Sequence, residues 1–429
     1  MKKLIQLSLP LFCLCSLELA AEDAVVEPEG ERLPSVKEVI SNVATIPEKE
    51  IDIVDGLQRM FKQGKVLGQV RMMYSDINYK SSEDVYATAI GGFLKYELAQ
   101  FKGFNAAVAL TTSHDIDSLS GDGAKRNEEF SSASKSYSET TEAYINYNYE
   151  NVNIRLGRQS IDTPLADSDD IRMVSNSFEA FVVNYESDEL LVLVGKLKSW
   201  QGYDADLDKP WTPTGVDGTY LGGLTYSGEL LDANLWFYNI NGEAGDATAN
   251  NSYYGDVVGH MHLTQEVELH VGAQYLRQDE LDNSGVASEI YGASAELVVH
   301  GAGFNMAYNK SLKQENKQTF SGFGGGTLFT SMDNMIVDVI AVDRDVDAIV
   351  AGLSYTYEDV NFLYAYGDFQ GAKDSAGQKE HIVEQNIGFS YEHEEFTFGA
   401  IFTQQIDKEE TGVNGGDFNN GRVLVAYNF

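Results

Sequence analysis

Gly421-Arg422-Val423-Leu424-Val425-Ala426-Tyr427-Asn428-Phe429 is the stretch whose reading decides the fold. Val423, Val425, Tyr427 and Phe429 alternate with Arg422, Leu424, Ala426 and Asn428. Successive side chains of a strand point to opposite faces, so this period of two gives one apolar face and one mixed face. An edge strand of a soluble sandwich can be built the same way. The rest of the chain has to discriminate.

A terminal aromatic closing such a strand resembles the last strand of bacterial outer-membrane β-barrels. That resemblance implies that Tyr427 and Phe429 lie in an aromatic girdle and act as the assembly signal read by the barrel-assembly machinery. The other end of the chain fits an exported protein. Met1-Lys2-Lys3 is a short positive region, Leu4 to Leu17 is nearly all apolar, and Ala20-Ala21 supplies small residues for cleavage. Residues 1–21 therefore read as a signal peptide, the apolar run being too short to span a bilayer as a helix. Both cysteines, Cys13 and Cys15, fall inside it. The mature chain is expected to have no disulfide, no thiol catalysis and no thiolate metal site.

No later stretch reaches the roughly 20 apolar residues a membrane helix needs. Yet Tyr (24), Phe (21) and Gly (40) are abundant and Pro (7) is scarce. A membrane barrel reconciles these facts, because its strands alternate outward apolar with inward polar residues and no window looks very hydrophobic. The net charge is −36. Loss of Lys2, Lys3 and Glu18 with the leader takes 30 basic and 66 acidic residues to 28 and 65, a net of −37. Such acidity argues against a nucleic-acid partner and, in a channel, favours cations at the mouths; part of it simply solubilises loops.

Residues 22–65 read as an acidic arm with helical pieces. Ser35-Val36-Lys37-Glu38 is a capping box. After Pro47, the segment from Asp52 to Gln63 places Ile53, Val54, Leu57, Met60 and Phe61 on one stripe, and Gly64 ends it. From residue 66 to residue 429 the pattern is one of strands, about eighteen, with sixteen as the alternative. The first is Val66–Tyr79 and the last Arg422–Phe429. Tight turns such as Glu150-Asn151, His300-Gly301 and Glu358-Asp359 alternate with long segments at Ile116–Tyr137, Ser160–Asn176, Gln201–Gly218, Asn241–Asn251, Gln314–Arg344 and Asp407–Gly421. Short turns on one side and long loops on the other describe an all-β, antiparallel, up-and-down transmembrane barrel in a bacterial outer membrane. An even strand number puts both termini in the periplasm. Membrane lipid is then a partner of the outer face, because every backbone group in lipid must be paired and the strands must close on one another.

One interior run carries the chemistry: Gly157-Arg158-Gln159-Ser160-Ile161-Asp162-Thr163-Pro164-Leu165-Ala166-Asp167-Ser168-Asp169-Asp170-Ile171-Arg172-Met173, followed by Asn176-Ser177-Phe178-Glu179. It resembles the corresponding stretch of OprD-type porins, especially those of ε-proteobacteria. The resemblance implies an 18-strand barrel, passive uptake of small and often charged solutes, and an inward loop at about 160–176 that narrows the channel. Asp162, Asp167, Asp169 and Asp170 would face Arg155, Arg158 and Arg172 across that constriction, an arrangement whose transverse field orients charged or zwitterionic solutes. The same pairs could simply pin the loop to the wall. Lys196 and Lys198 would extend a basic ladder if they point inward, or snorkel to a membrane interface if they do not.

Other constellations are weaker. Asp167 to Asp170 lacks an EF-hand pattern. His260, His262 and His270 read as lumen lining rather than a metal site, and no metal or other cofactor is expected. Gly322-Phe323-Gly324-Gly325-Gly326 lacks the Gly-Lys-Ser/Thr of a phosphate loop and reads as a flexible loop. His114 beside Asp115 and Asp117 is a cheap adjacency with no distinctive serine, so no enzyme is expected. The expected function is a porin for small hydrophilic solutes and ions, favouring cationic or zwitterionic ones. The alternative is an adhesin or structural barrel acting through its long loops. Monomer and homotrimer both stay open.

Overall fold

The computed structural model describes residues 52–243 and 248–429. The expected leader with Cys13 and Cys15, and the arm up to Ile51 with its capping box, lie outside the described residues. The chain begins with one helix, α1 (Ile53–Lys62), and continues as strands β1 (Lys65–Tyr79), β2 (Val85–Glu97), β3 (Phe104–Asp115), β4 (Ser136–Tyr149), β5 (Val152–Gln159), β6 (Ser177–Glu186), β7 (Leu190–Gln201), β8 (Thr212–Pro213), β9 (Thr219–Ser227), β10 (Leu231–Ile240), β11 (Asn250–His262), β12 (Val267–Glu280), β13 (Ser288–Val299), β14 (Ala302–Ser311), β15 (Val346–Tyr357), β16 (Val360–Gly371), β17 (Glu380–His393), β18 (Phe396–Asp407) and β19 (Phe418–Asn428).

Each long strand pairs antiparallel with its neighbour in sequence, and β1 pairs with β19 from Gln69↔Asn428 to Tyr79↔Phe418. Eighteen strands therefore close into a barrel, and β8 is a two-residue addition on the rim of β7. The closed ring leaves no edge, the solution a fully paired sheet requires in hydrocarbon. Connections at one end are short, for example 150–151 and 300–301, and at the other run up to 312–345. His300 and Gly301 both take the left-handed backbone of a tight hairpin turn (φ 49° and 77°).

The period of two sorts the wall. Val70, Met72 and Tyr74 of β1, Ile349, Leu353 and Tyr355 of β15, and Val423, Val425 and Tyr427 of β19 are exposed apolar residues on the outer face. Gln69, Arg71 and Ser75, Asn386 and Thr403, and Asn420 and Arg422 are buried on the inner face. A continuous exposed apolar belt of this size is tolerated where hydrocarbon covers it. No helix among the described residues is long and apolar enough to cross a membrane. Phe429 lies on the outer face, stacks with Tyr427 at 6.3 Å, and exchanges two 2.9 Å backbone hydrogen bonds with Gly68.

The interior is not uniformly polar. Phe178, Val182, Leu197, Trp236, Tyr254, Leu276, Val350 and Phe369 point inward and form one large apolar cluster with residues of two long loops. This explains a departure from the sequence reading at β7. There Leu193 and Leu197 are buried inside, while Lys196 pairs in register with Tyr220 and its Nζ lies 4.6 Å from that outward ring. Lys196 is therefore on the outer face, at an aromatic girdle. Lys198 sits in a bulge opposite Glu179/Ala180, is largely exposed and pairs with Glu179 at 2.9 Å. Neither lysine extends an inner ladder. The ladder reading does not hold because leucine lines the inner face of β7, where apolar loop fills the lumen.

Candidate functional site

Loop 160–176, between β5 and β6, packs against inward-facing side chains of the wall. A second loop, 312–345 between β14 and β15, folds in beside it. The two are joined by backbone: Phe323 N donates to Leu165 O at 2.9 Å and Asp167 N donates to Phe323 O at 3.1 Å. The glycine run is the seam. A β-carbon on Gly322 would stand 2.9 Å from the Leu165 carbonyl, and one on Gly324, whose φ is +87°, 2.3 Å from the Asn176 amide nitrogen. These glycines serve close approach, not looseness. Leu165, Phe323, Leu328, Met335, Val337 and Ile340 then pack onto the apolar inner wall. Inward amides hold the backbone of loop 312–345: Phe320 N donates to Gln278 Oε1 at 2.8 Å, and Phe329 N to Gln274 Oε1 at 3.0 Å.

The other flank of loop 160–176 is ionic. Arg71 of β1 grips the Asp170 carboxylate with both terminal nitrogens, at 2.8 and 2.9 Å, and donates to the Arg172 carbonyl at 2.5 Å. Arg172 in turn places Nε 2.5 Å from Glu129 of loop 116–135, and its guanidinium lies 5.1 Å from the Tyr203 ring. Arg422 of β19 reaches the same Glu129 at 3.1 Å and also bonds Asp333 of loop 312–345. Three loops and two wall strands thus meet at three arginines and three carboxylates. Burial would raise the Glu129 carboxyl, but Arg172 and Arg422 outweigh it and hold the group below its ordinary range.

The exposure of this belt is one-sided. The side chains of Arg71, Arg172 and Arg422 are 6%, 6% and 3% exposed, whereas Asp170 is 41% exposed. Asp162, Asp167 and Asp169 stand beside it. Asp162 accepts from Ser168 N at 3.3 Å, and Asp167 accepts from Asp169 N at 2.7 Å. Burial pushes all three carboxyls above the ordinary range, helped at Asp162 by the charge of Asp170 and at Asp167 and Asp169 by neighbouring aspartates including Asp204, which accepts from the Asn176 amide at 2.7 Å. The group of this belt most open to water is the Asp170 carboxylate, with Asp162, Asp167 and Asp169 half-buried beside it and the arginines that hold the loop buried behind.

The remaining expected residues lie elsewhere. Arg155 faces the lumen, four residues from the short turn at 150–151. It stacks on Tyr144 at 4.4 Å near the Lys95–Glu142 pair (2.7 Å). Arg158 pairs with Glu139 at 3.0 Å and stacks on Trp211 at 4.3 Å. Neither touches the belt. Arg71, Glu129, Asp333 and Arg422 escaped the sequence reading. The one available signal was a charged residue at an inward position of an alternating strand, as for Arg71 and Arg422. His260 and His270 meet across β11 and β12, Nδ1 to Nδ1 at 2.7 Å, with Asp232 at 2.8 Å from His260 Nε2; His262 is exposed at the rim. Asp115 faces inward and is bound by Arg126 at 2.7 Å, so it does not serve the outward His114.

No protein-family model and no curated protein matches the chain. Solved structures do. Acinetobacter baumannii OccAB1 superposes with a TM-score of 0.72 at 13% identity, over 86% of this chain and 97% of that one. Pseudomonas aeruginosa OpdK, crystallised with vanillate, gives 0.71 at 15% identity over 86% and 99%. OpdQ of the same organism gives 0.67 at 14% over 87% and 99%. The architecture is that of OprD-type porins, as the resemblance in the sequence implied.

Proposed function

We propose that this barrel is an outer-membrane channel for passive diffusion of small hydrophilic solutes, favouring cationic or zwitterionic ones. The observation that carries this is the one-sided belt: its three arginines are covered and paired with carboxylates, and Asp170 beside them stays 41% exposed. A cation entering such a narrow space meets a weakly screened negative field, because screening by mobile salt is poor where little water fits. Vanillate, present in the OpdK structure, is a carboxylate. Here an anion of that kind would have to displace Asp170 or Glu129 from arginine. Two inward loops that narrow a lumen are what a selective pathway needs. A barrel acting only through its outer loops has no use for them, so nothing favours the adhesin alternative.

The test is the reversal potential of the reconstituted protein in a planar bilayer under a KCl gradient. Discrete conductance with cation preference supports the reading. Replacing Asp167, Asp169 and Asp170 with Asn should lower that preference; an unchanged value overturns the role given to these three. Anion preference in the wild-type protein would overturn the acidic pathway while keeping the channel.

A further inference from the structure

The helix α1 has an apolar face that nothing among the described residues covers. Gly56 and Met60 are its buried residues. They pack on the short turn between β2 and β3, where Met60 clusters with Ala99 and Phe101, and the Gly56 position lies so close that a β-carbon would meet the Phe101 ring at 2.4 Å. Ile53, Val54, Leu57 and Phe61 form the adjoining arc of the helix and are 61%, 59%, 49% and 61% exposed. Asp55, Gln58, Arg59 and Lys62 occupy the opposite side.

Two contacts place this bare arc beside the outer belt. The Phe61 carbonyl accepts the hydroxyl of Tyr96, which lies on the outward face of β2 two residues from the exposed Leu94. Phe101 bridges to Phe104, the exposed first outward residue of β3. The exposed apolar surface therefore runs from the barrel wall onto the helix. In an acidic chain this edge carries a local excess of base: Arg59, Lys62, Lys65 and Lys102 outnumber Asp52 and Asp55 of the helix, and Lys102 Nζ stands 5.5 Å from the Phe101 ring. Continuity with the apolar belt and local positive charge fit one occupant, an anionic phospholipid surface. Apolar side chains enter the acyl boundary while lysine and arginine stay at the headgroups.

We infer that α1 is an interfacial anchor, lying in the lipid leaflet at the short-turn end of the barrel with Ile53, Val54, Leu57 and Phe61 inserted. This rests on the membrane reading of the barrel given above.

Single-cysteine variants decide it, made in the full chain carrying Cys13→Ser and Cys15→Ser. Leu57→Cys, Phe61→Cys and Gln58→Cys are spin-labelled, with Leu353→Cys on the outer face of β15 as the reference. The proteins are reconstituted in phosphatidylethanolamine–phosphatidylglycerol vesicles, and collision with oxygen is compared with collision with a water-soluble nickel complex. The expected result is an oxygen-to-nickel ratio several-fold higher at positions 57 and 61 than at 58, approaching that at 353. Water-like ratios at both 57 and 61 with a lipid-like ratio at 353 overturn the anchor alone. A water-like ratio at 353 overturns the membrane reading itself. Labels at 57 and 61 closed to both reagents, or a disulfide between two copies through position 57, assign the face to protein and overturn the lipid occupant.

Discussion

The two flanks of loop 160–176 are held by opposite kinds of force. On one side Leu165 and Ala166 join Phe323, Met335 and the inner wall in a dry apolar cluster. On the other, Asp170 and Arg172 are held by Arg71, Glu129 and Arg422. Apolar contact is non-directional and scales with area, so the first flank sets how far the loops reach into the lumen. Ion pairs are directional and leave an electrostatic face, so under the proposed function the second would set which charge a passing solute meets. Position and the proposed selectivity thus fall to two surfaces of one short segment.

The division is broken most severely at the seam. Gly324→Val introduces a branched side chain at φ +87° against Asn176 and the Asp167 carbonyl. Loop 312–345 should detach, and unitary conductance should rise several-fold with selectivity reduced; conductance equal to wild type would show that the seam does not position the loops. Arg422→Ala comes next. It leaves Glu129 and Asp333 buried with one cationic partner fewer, a change that costs about 3–5 kcal/mol when a buried pair is broken. Urea unfolding of the reconstituted barrel should show the loss, whereas Arg422→Met with Asp333→Leu should recover much of it.

A smaller effect belongs to pH. Asp162, Asp167 and Asp169 are held above the ordinary carboxylate range chiefly by burial. A raised carboxyl loses its proton later as pH rises, so cation preference should go on increasing well above about pH 5, where exposed carboxylates have finished titrating. Reversal potentials across a pH series should show this rise, and the triple change of Asp162, Asp167 and Asp169 to Asn should flatten it. Smallest of all is Arg158→Ala. It removes a half-covered pair and a stacking contact on Trp211, worth about 1 kcal/mol or less, and should leave the reversal potential unchanged.

The strands were legible because alternation is a local property: Val423, Val425 and Tyr427 announce their face without reference to any other strand. Loop 160–176 was legible because its charges are crowded into one run. Gln314–Arg344 shows in the sequence only as a long segment between strands, although Phe323, Leu328, Phe329, Met332, Met335, Val337 and Ile340 lie in it. Leu328, Phe329, Met332, Met335 and Ile340 stand at helical spacing, but the segment forms only a 3-10 turn at Val337–Val339, so the spacing pointed to the wrong element and did not say that they pack inside a lumen. β7 failed for the related reason that apolar residues inside erased the contrast between its faces. Arg71 and Arg422 sit where inward residues should, but their partners Asp170 and Glu129 are 99 and 293 positions away. A spacing argument has no reach over that distance.

The β1–β19 seam also dictates how the molecule can form. Gln69 donates to Asn428 across 359 positions of sequence, and the Arg422–Glu129 pair beside the seam spans nearly as many. A contact of such separation carries a loop-closure cost that nearest-neighbour hairpins do not, so hairpin growth can proceed strand by strand while the ring stays open. Until the last strand docks, β1 presents an unpaired edge, the most aggregation-prone feature a sheet can have. Closure is therefore a late, all-or-none event. The kinetic barrier to opening should be set at that one seam, where eleven register pairs and a buried arginine have to separate together.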